Sequence, residues 1–347
     1  MSVKKSAISA IRVKTVSPKT KAVSLMGLAV LIWGLSYPLS RLALKELSPP
    51  AFSGLRFLFG ALSLLPMALR QRRRPAILAY TGRHSPRLWL WAGLLAGFLL
   101  SWGSILQACA LTRLPAGQVS FITSLYSSLV PVLALVLGLV PRPKVMAGLG
   151  VSLVGLYFLT GGSAAGLGPA AGMVMAANFF WAAHIVVSGH FVAKVNAWLF
   201  TFGQILAAGL MMTGAAAAVG LMPTWEIFVK TLPFTMWGIL SAGVGYLCLA
   251  MAQRELSATA VAVLSPLQCV IAALAGLIFL GEIMTGRMIW GAALIVLGSL
   301  LAQAAREAVP LTPDHKNFRF WDRLRRFLGV FCAVAVLALL IWAIAAG

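Results

Sequence analysis

The fold is decided by the stretch Val145–Ala193, VMAGLGVSLVGLYFLTGGSAAGLGPAAGMVMAANFFWAAHIVVSGHFVA, which contains no Lys, Arg, Asp or Glu. A helix needs about 20 apolar residues to cross a bilayer, so this run is too long for one helix. Gly161, Gly162 and the segment Gly166–Pro169 interrupt it with residues that end helices. The sequence therefore predicts two membrane-spanning helices joined by a short turn.

The whole chain shares this apolar character. Of its 347 residues, 61% are hydrophobic and 10% are charged, and the mean hydropathy is +0.94. A soluble domain carries about 25% charged residues, so this composition excludes an ordinary soluble enzyme, a disordered protein and a secreted disulfide scaffold. The cysteines lie in apolar runs without a CxxC pair, which indicates neither a disulfide nor a metal site: Cys109, Cys248, Cys269 and Cys332.

Apolar runs bounded by charges and turn residues predict eleven transmembrane helices. We therefore expect an all-α polytopic membrane protein. The predicted spans lie at about residues 22–40, 51–69, 88–112, 114–141, 145–160, 170–193, 198–220, 234–252, 258–280, 287–304 and 327–345.

The first ten spans form an internal repeat. Leu114-Pro115-Ala116 aligns with Leu256-Ser257-Ala258 at an offset of 142, and Trp33-Gly34 aligns with Trp181-Ala182 at an offset of 148. Each unit is thus five helices long, and two units with an odd number of helices must lie in opposite orientations. Inverted repeats are typical of carriers that open a central site to each side in turn. The predicted organisation is a basic segment 1–21, repeats 22–161 and 167–304, a basic linker 305–326 and an extra helix 327–347.

The basic residues predict the orientation of the chain. There are 28 Lys and Arg against 7 Asp and Glu, and with the N-terminus inside, the inner loops hold 22 of the basic residues and the outer loops 5. Inner loops of membrane proteins collect Lys and Arg, so we expect a cytoplasmic N-terminus and an outer C-terminus. The Ala- and Gly-rich composition favours a bacterial inner membrane. No basic stripe lies on a soluble domain, so no nucleic-acid partner is expected.

Four segments carry a family resemblance: Ile32–Pro38 (IWGLSYP), Pro50–Phe57 (PAFSGLRF), Ala258–Pro266 and Phe279–Glu282 (FLGE). Together they resemble the EamA branch of the drug/metabolite transporter superfamily, over about residues 23–303. The resemblance implies ten helices in two inverted EamA-like repeats around a central cavity. It also implies transport of amino acids, nucleobases, other metabolites or drugs, often outward.

The chain departs from the family pattern in two places. The second half keeps Gly281-Glu282, whereas the first half reads Leu139-Val140-Pro141 at the corresponding position. The eleventh helix has no counterpart in the ten-helix pattern. Residues 305–347 are therefore candidates for docking a protein partner or capping one side.

Polar and aromatic residues within the spans are the candidates for a substrate cavity, because polar side chains are costly in lipid and face the protein interior. Tyr126 and Gln268 coincide at the offset of 142, which makes them the preferred pair. For each candidate the alternative is helix packing or an interhelical hydrogen bond. The candidates are Trp33, Tyr37, Gln107, Gln118, Tyr126, Trp181, His184, Tyr246 and Gln268.

Two ionisable residues and two prolines have open roles. Arg56 is either an anion contact or a structural arginine, and the resemblance, in which arginine occurs here across substrates, favours the structural role. His184 binds substrate or shuttles a proton, or else bonds across helices. Pro131 and Pro266 are predicted to kink the fourth and ninth helices.

No Asp or Glu falls in the middle of a predicted span. Coupled carriers usually use a buried carboxylate, so facilitated diffusion or exchange is favoured over carboxylate-based proton coupling. No Walker motif is present, and no cofactor or metal is expected. The basic, aromatic segment 305–326 predicts either an interfacial helix on anionic lipid or a simple inner loop.

The sequence therefore predicts a small-molecule carrier that works by export or facilitated diffusion through alternating access. No enzymatic role is expected, since four histidines and no buried acid leave no plausible catalytic triad or metal site. A flippase of polyprenyl-linked lipids is one alternative, with Arg41, Lys45 and Arg56 holding a phosphate. A non-transporting scaffold that docks a partner through residues 305–347 is another. Either a monomer or a homodimer is compatible with the sequence.

Overall fold

The computed structural model describes residues 17–72, 88–136, 143–159, 168–192, 194–256, 261 and 264–304. Within these residues the secondary structure is entirely helical. Six helices are long and apolar enough to cross a membrane, and shorter apolar helices accompany them. The helices are α1 Pro18–Ala43, α2 Pro49–Arg72, α3 Leu88–Leu111, α4 Ala116–Ser124, α5 Tyr126–Val136, α6 Pro143–Leu159, α7 Pro169–Val192, α8 Ala197–Ala218, α9 Trp225–Met236, α10 Gly245–Ala252, α11 Leu267–Leu280 and α12 Gly286–Ala304.

The uncharged run from residue 145 to residue 193 forms two helices, as predicted. Helix α6 ends at Leu159, and α7 begins at Pro169. Proline suits the first position of a helix because its missing N–H would have no partner there. The glycine- and proline-rich segment therefore separates the two halves of the chain.

The fourth helix of each half is interrupted at matching positions. In the first half a turn at Leu125 separates α4 from α5, and in the second half a turn at Ser265 and Pro266 precedes α11. At the offset of 142, Leu125 corresponds to Leu267, which directly follows the second turn, so the two interruptions lie within two residues of equivalent positions. Of the two prolines at which kinks are predicted, Pro266 lies in the turn of the second half and Pro131 lies inside α5, beyond the turn of the first half.

Serine side chains supply a local reason for the interruption in the first half. The hydroxyl of Ser124 donates to the carbonyl of Phe121 at 2.7 Å, and the hydroxyl of Ser127 donates to the carbonyl of Ser124 at 2.8 Å. Such bonds compete with the backbone ladder of a helix and often bend it. These bonds favour the turn at Leu125.

The eighth span is predicted to begin near residue 234, but in the structure it begins at Trp225. The side chain of Thr224 caps α9 by accepting from the backbone N–H of Ile227 at 3.5 Å. The prediction started too late because Glu226 and Lys230 interrupt the apolar pattern, yet both side chains are exposed on α9. A π-helical segment, Ile239–Val244, joins α9 to α10.

The fifth helices of the two halves, α6 and α12, pack against each other through glycines. A Cβ added to Gly155 would lie 2.6 Å from the carbonyl oxygen of Gly291, so only glycine permits this approach. The hydroxyl of Ser152 donates to the carbonyl of Ile295 at 3.3 Å across the same contact. This pairing joins the two halves. The predicted linker 305–326 and eleventh helix 327–347 lie outside the described residues.

Candidate functional site

A cavity that is partly open to solvent lies between the two halves of the described chain. Both halves supply its walls. The lining residues of the described chain are Trp33, Ser36, Tyr37, Ser40, Arg56, Gln107, Leu111, Thr123 and Tyr126 from the first half, and Trp181, His184, Ile185, Ser241, Tyr246, Leu249 and Gln268 from the second.

The structure gathers every predicted cavity residue around this space except Gln118. The side-chain amide of Gln118 donates to the backbone carbonyl of Leu159 at 3.3 Å, which is an interhelical bond between α4 and α6. Small hydroxyl residues of the lining were missed in the sequence analysis. Ser36 and Ser40 lie one turn from Trp33 and Tyr37 on the same face of α1, and this spacing is a signal that could have identified them.

Aromatic rings form one wall of the cavity around Tyr246. The centroid of its ring lies 5.2 Å from that of Trp33, 5.9 Å from that of Phe57 and 5.7 Å from that of His184. The indole N–H of Trp33 donates to the backbone carbonyl of Ser241 at 2.9 Å. Because Ser241 belongs to the π-helical segment, this bond fixes Trp33 of the first half against the second half.

Neutral hydrogen-bonding groups also line the cavity. The side-chain amide of Gln107 donates to the hydroxyl of Tyr37 at 3.2 Å and to the hydroxyl of Thr123 at 3.1 Å. The hydroxyl of Tyr126 contacts the side chains of Ser265 and Gln268. The preferred pair, Tyr126 and Gln268, therefore meets at the two interrupted helices.

The ring of His184 lines the cavity and is also held by a hydrogen bond to another helix. Its side chain is buried, and its Nε2–H donates to Oε1 of the buried Gln204 on α8 at 2.8 Å. This is an interhelical bond, so the ring is anchored. At the offset of 148 Gln204 occupies the position of Arg56 in the other half.

Arg56 is the one charged side chain that lines the cavity among the described residues. Its guanidinium carbon lies 5.5 Å from the ring centroid of Phe52 and 5.2 Å from that of Phe57. Its Nε is buried and has no hydrogen-bond partner. A Cβ on Gly238 would lie 1.9 Å from the carbonyl oxygen of Arg56, so the absence of a side chain at Gly238 lets α2 approach the second half.

A carboxylate ties three helices together at one end of the bundle. Glu282 pairs with Arg41 of α1, and it accepts from the backbone N–H groups of Ala116 at 2.8 Å and Gly117 at 3.1 Å. These N–H groups begin α4, where an anion is stabilised by the helix terminus. Gly281 turns the chain with a φ of +63°, a conformation that favours glycine. We call Arg41, Glu282 and the two amides the Glu282 latch.

Comparison with known proteins decides the family. The EamA-like transporter family matches residues 20–161 and again residues 168–303. The chain belongs to this family. It is therefore a multi-pass membrane protein with a transport function.

The relatives of this EamA-like transporter agree with that assignment. A protein of Archaeoglobus fulgidus named "Uncharacterized transporter" is 26% identical over 278 residues, which cover 80% of this chain and 83% of that protein. "Uncharacterized transporter YvbV" of Bacillus subtilis is 36% identical over 105 residues, which cover 30% of this chain and 32% of that protein. A crystal structure at 21% identity superposes with a TM-score of 0.60 over 84% of this chain and 100% of that chain, which shows the fold.

The latch of this EamA-like transporter has no counterpart in the sequence of its first half. At the offset of 142, Glu282 corresponds to Val140, within the segment that departs from the family pattern. Residues 139–141 lie outside the described part of the chain. A valine side chain carries no charge, so this position cannot supply a second carboxylate.

Proposed function

We propose that the protein is a carrier for a small organic molecule and that the central cavity is its binding site. The observation that carries this proposal is the shared lining of the cavity. Residues from both halves of the chain surround one space, and the matched pair Tyr126 and Gln268 meets beside the two interrupted helices. Interrupted helices beside a central site are typical of transporters.

Alternating access follows from this arrangement together with the proposed inverted repeats. Two five-helix units of opposite orientation can exchange conformations, which opens the cavity first to one side and then to the other. The proposed fold has ten such helices and an eleventh outside the repeats. With the N-terminus in the cytoplasm, the Glu282 latch lies on the outer side and holds that side closed.

We propose facilitated diffusion or exchange in a bacterial inner (cytoplasmic) membrane. No Asp or Glu lines the cavity among the described residues, so no carboxylate is placed there to bind a coupling proton. The Nε2–H of His184 is already engaged in a hydrogen bond to Gln204. The role is transport without a covalent step, so the protein is not proposed as an enzyme.

The geometry gives less support to a flippase. That function requires Arg41, Lys45 and Arg56 to hold one phosphate. Arg41 is instead paired with Glu282, and Lys45 is exposed outside the cavity lining. The three cations therefore have different neighbours, and only Arg56 lines the cavity.

The test is uptake into proteoliposomes with a matched pair of variants. Gln268→Ala removes a cavity amide, whereas Gln118→Ala removes an amide that bonds to Leu159 outside the cavity. We expect Gln268→Ala to lower the initial rate of saturable uptake by about tenfold, as for one lost hydrogen bond to a buried polar group. Gln118→Ala should retain most of the rate. Equal loss in both variants, at equal amounts of folded protein, would refute the cavity as the site.

A further inference from the structure

We propose that the substrate is a small organic anion with a single carboxylate, bound through Arg56. This inference rests on the proposed function of the cavity. The first observation that supports it is the charge of the cavity lining. The cavity contains one fixed positive charge, and none of its lining residues in the described chain is an acid.

The described acids are all occupied elsewhere or lie away from the cavity. Glu46 pairs with Lys230, and Glu282 belongs to the latch. Glu226 lies in the first turn of α9 and Glu255 follows α10, and both are exposed. No ion pair therefore neutralises Arg56 within the described residues.

A structural arginine would donate hydrogen bonds to carbonyls or carboxylates of neighbouring helices. Arg56 makes no such bond among the described residues, and its buried Nε lacks an acceptor. The rings of Phe52 and Phe57 attract the guanidinium but accept no conventional hydrogen bond. An unpaired cation inside a membrane protein is costly, and an anionic ligand in the cavity would supply the missing partner.

The number of charges selects the kind of anion. A guanidinium presents a planar fork of N–H donors that matches a carboxylate with two parallel hydrogen bonds. One carboxylate balances one arginine, whereas a phosphate monoester carries about two negative charges and would leave one unmatched. A cation or a zwitterion brings an ammonium group, and no lining carboxylate is available to pair with it.

The aromatic wall selects the organic part. The ring of Trp33 contacts that of Tyr246. The ring of Phe57 contacts both Tyr246 and the guanidinium group of Arg56. Flat apolar groups pack well on such rings. The fitting substrate has a flat or aromatic body with a carboxylate at one end.

Four compounds of similar shape test the inference directly. Radiolabelled phenylacetate is the probe for equilibrium binding to the purified full-length protein in detergent. Phenylacetamide, phenethylamine and phenylalanine compete as the neutral, cationic and zwitterionic analogues. We expect phenylacetate to bind at least about tenfold more tightly than each analogue. The amide and the amine lose the charge-assisted pair with Arg56, and phenylalanine brings an ammonium group that no lining carboxylate can pair with.

Variants assign the preference to Arg56. Arg56→Gln should reduce the preference for phenylacetate over phenylacetamide to near unity, and Arg56→Lys should retain part of it because the charge remains. The control is Arg113→Gln, which removes the same charge from an exposed position beyond α3. It should leave the preference unchanged. If Arg56→Gln is not monodisperse, the wild-type series and Arg56→Lys still decide the question.

Three results would overturn the inference. One is phenylacetate binding that is absent at millimolar concentration or no tighter than that of phenylacetamide. Another is a preference that survives in Arg56→Gln. The third is displacement of phenylacetate by chloride or phosphate as effective as displacement by unlabelled phenylacetate, which would indicate a site for inorganic anions. Binding that depends on Arg56 without any flux in proteoliposomes would support the anion site and refute the carrier. Saturable flux of neutral or cationic compounds alone would support the carrier and refute the anion site.

Discussion

Replacing Glu282 with glutamine should release the end of the cavity that is the outer end in the proposed orientation. The carboxylate of Glu282 holds Arg41 of α1 and the first two amides of α4, so it joins three helices at that end. The glutamine side chain has the same shape but no charge, and only one of its terminal atoms accepts hydrogen bonds. We therefore expect the balance between the closed and the open outer end to shift toward the open state.

The structure sets the size of this shift. The Arg41 and Glu282 side chains are 30% and 12% exposed, so the pair is only partly screened by water. Loss of one charge-assisted hydrogen bond and of the ion pair costs about 2–3 kcal/mol. At about 1.4 kcal/mol for each factor of ten, the ratio of open to closed states should rise roughly 30- to 150-fold.

Accessibility of a cavity cysteine measures that ratio. Ser40 lines the cavity and precedes Arg41, so Ser40→Cys in a cysteine-free background reports the open outer end. A membrane-impermeant thiol reagent is added outside right-side-out vesicles. The labelling rate should rise with the open fraction in Glu282→Gln and in Arg41→Gln. The double variant should exceed neither single variant by much, because both changes break one network.

The control is the exposed ion pair at the same end of the bundle. The Lys230 and Glu46 side chains are 63% and 37% exposed, and such pairs contribute about 0–1 kcal/mol. Glu46→Gln should therefore change the labelling rate less than about fivefold. An unchanged rate in Glu282→Gln, or an equal rise in Glu46→Gln, would refute the latch.

Three further predictions follow from the cavity and its charge. Gly238→Ala should weaken phenylacetate binding, because the added Cβ would lie 1.9 Å from the carbonyl oxygen of Arg56, whereas Gly172→Ala, with no atom within 4 Å, should not. Phenylacetate efflux should be electrogenic, because the anion carries one negative charge. A membrane potential of about 100 mV, negative inside, corresponds to about 2.3 kcal/mol per charge, or roughly a 50-fold concentration gradient. Such a potential, set by valinomycin and a potassium gradient, should drive efflux of phenylacetate but not of phenylacetamide. Trp33→Phe should lower the Tm, since the carbonyl of Ser241 loses its donor at a cost of about 1 kcal/mol; an unchanged Tm would mean that water replaces the indole.

Much of the helical pattern was predictable because charge is expensive in lipid. The uncharged run from residue 145 to residue 193 admits only two spans, and its glycines and Pro169 mark the division. The late start predicted for the eighth span shows the limit of that argument. Glu226 and Lys230 are charged, yet they lie on α9 because their side chains are exposed there.

The same argument identified most of the cavity. Tyr37, Gln107 and His184 are polar residues within apolar helices, and they do face the space between the halves. Gln118 satisfies the same criterion but bonds to a backbone carbonyl of α6 instead. The choice between a cavity and an interhelical bond depends on which carbonyl lies opposite, and local sequence does not contain that information.

The latch could not be predicted from the sequence for a similar reason. Its parts come from the end of α1, the start of α4 and the residue after Gly281, which are far apart in the chain. The serine and threonine residues of the lining were also missed. Small hydroxyl residues are common inside membrane helices, where they bond to their own backbone or permit close packing.

The most direct test of the proposed carrier is counterflow in proteoliposomes. Vesicles are loaded with an excess of one unlabelled compound, and the entry of the same labelled compound is followed without an ion gradient. The panel contains phenylacetate, amino acids, nucleobases and cationic drugs. A carrier that alternates between sides predicts a transient accumulation of label above its external concentration, for at least one compound. Label that only equilibrates would indicate a channel, and no saturable entry of any compound into vesicles with folded protein would contradict the carrier.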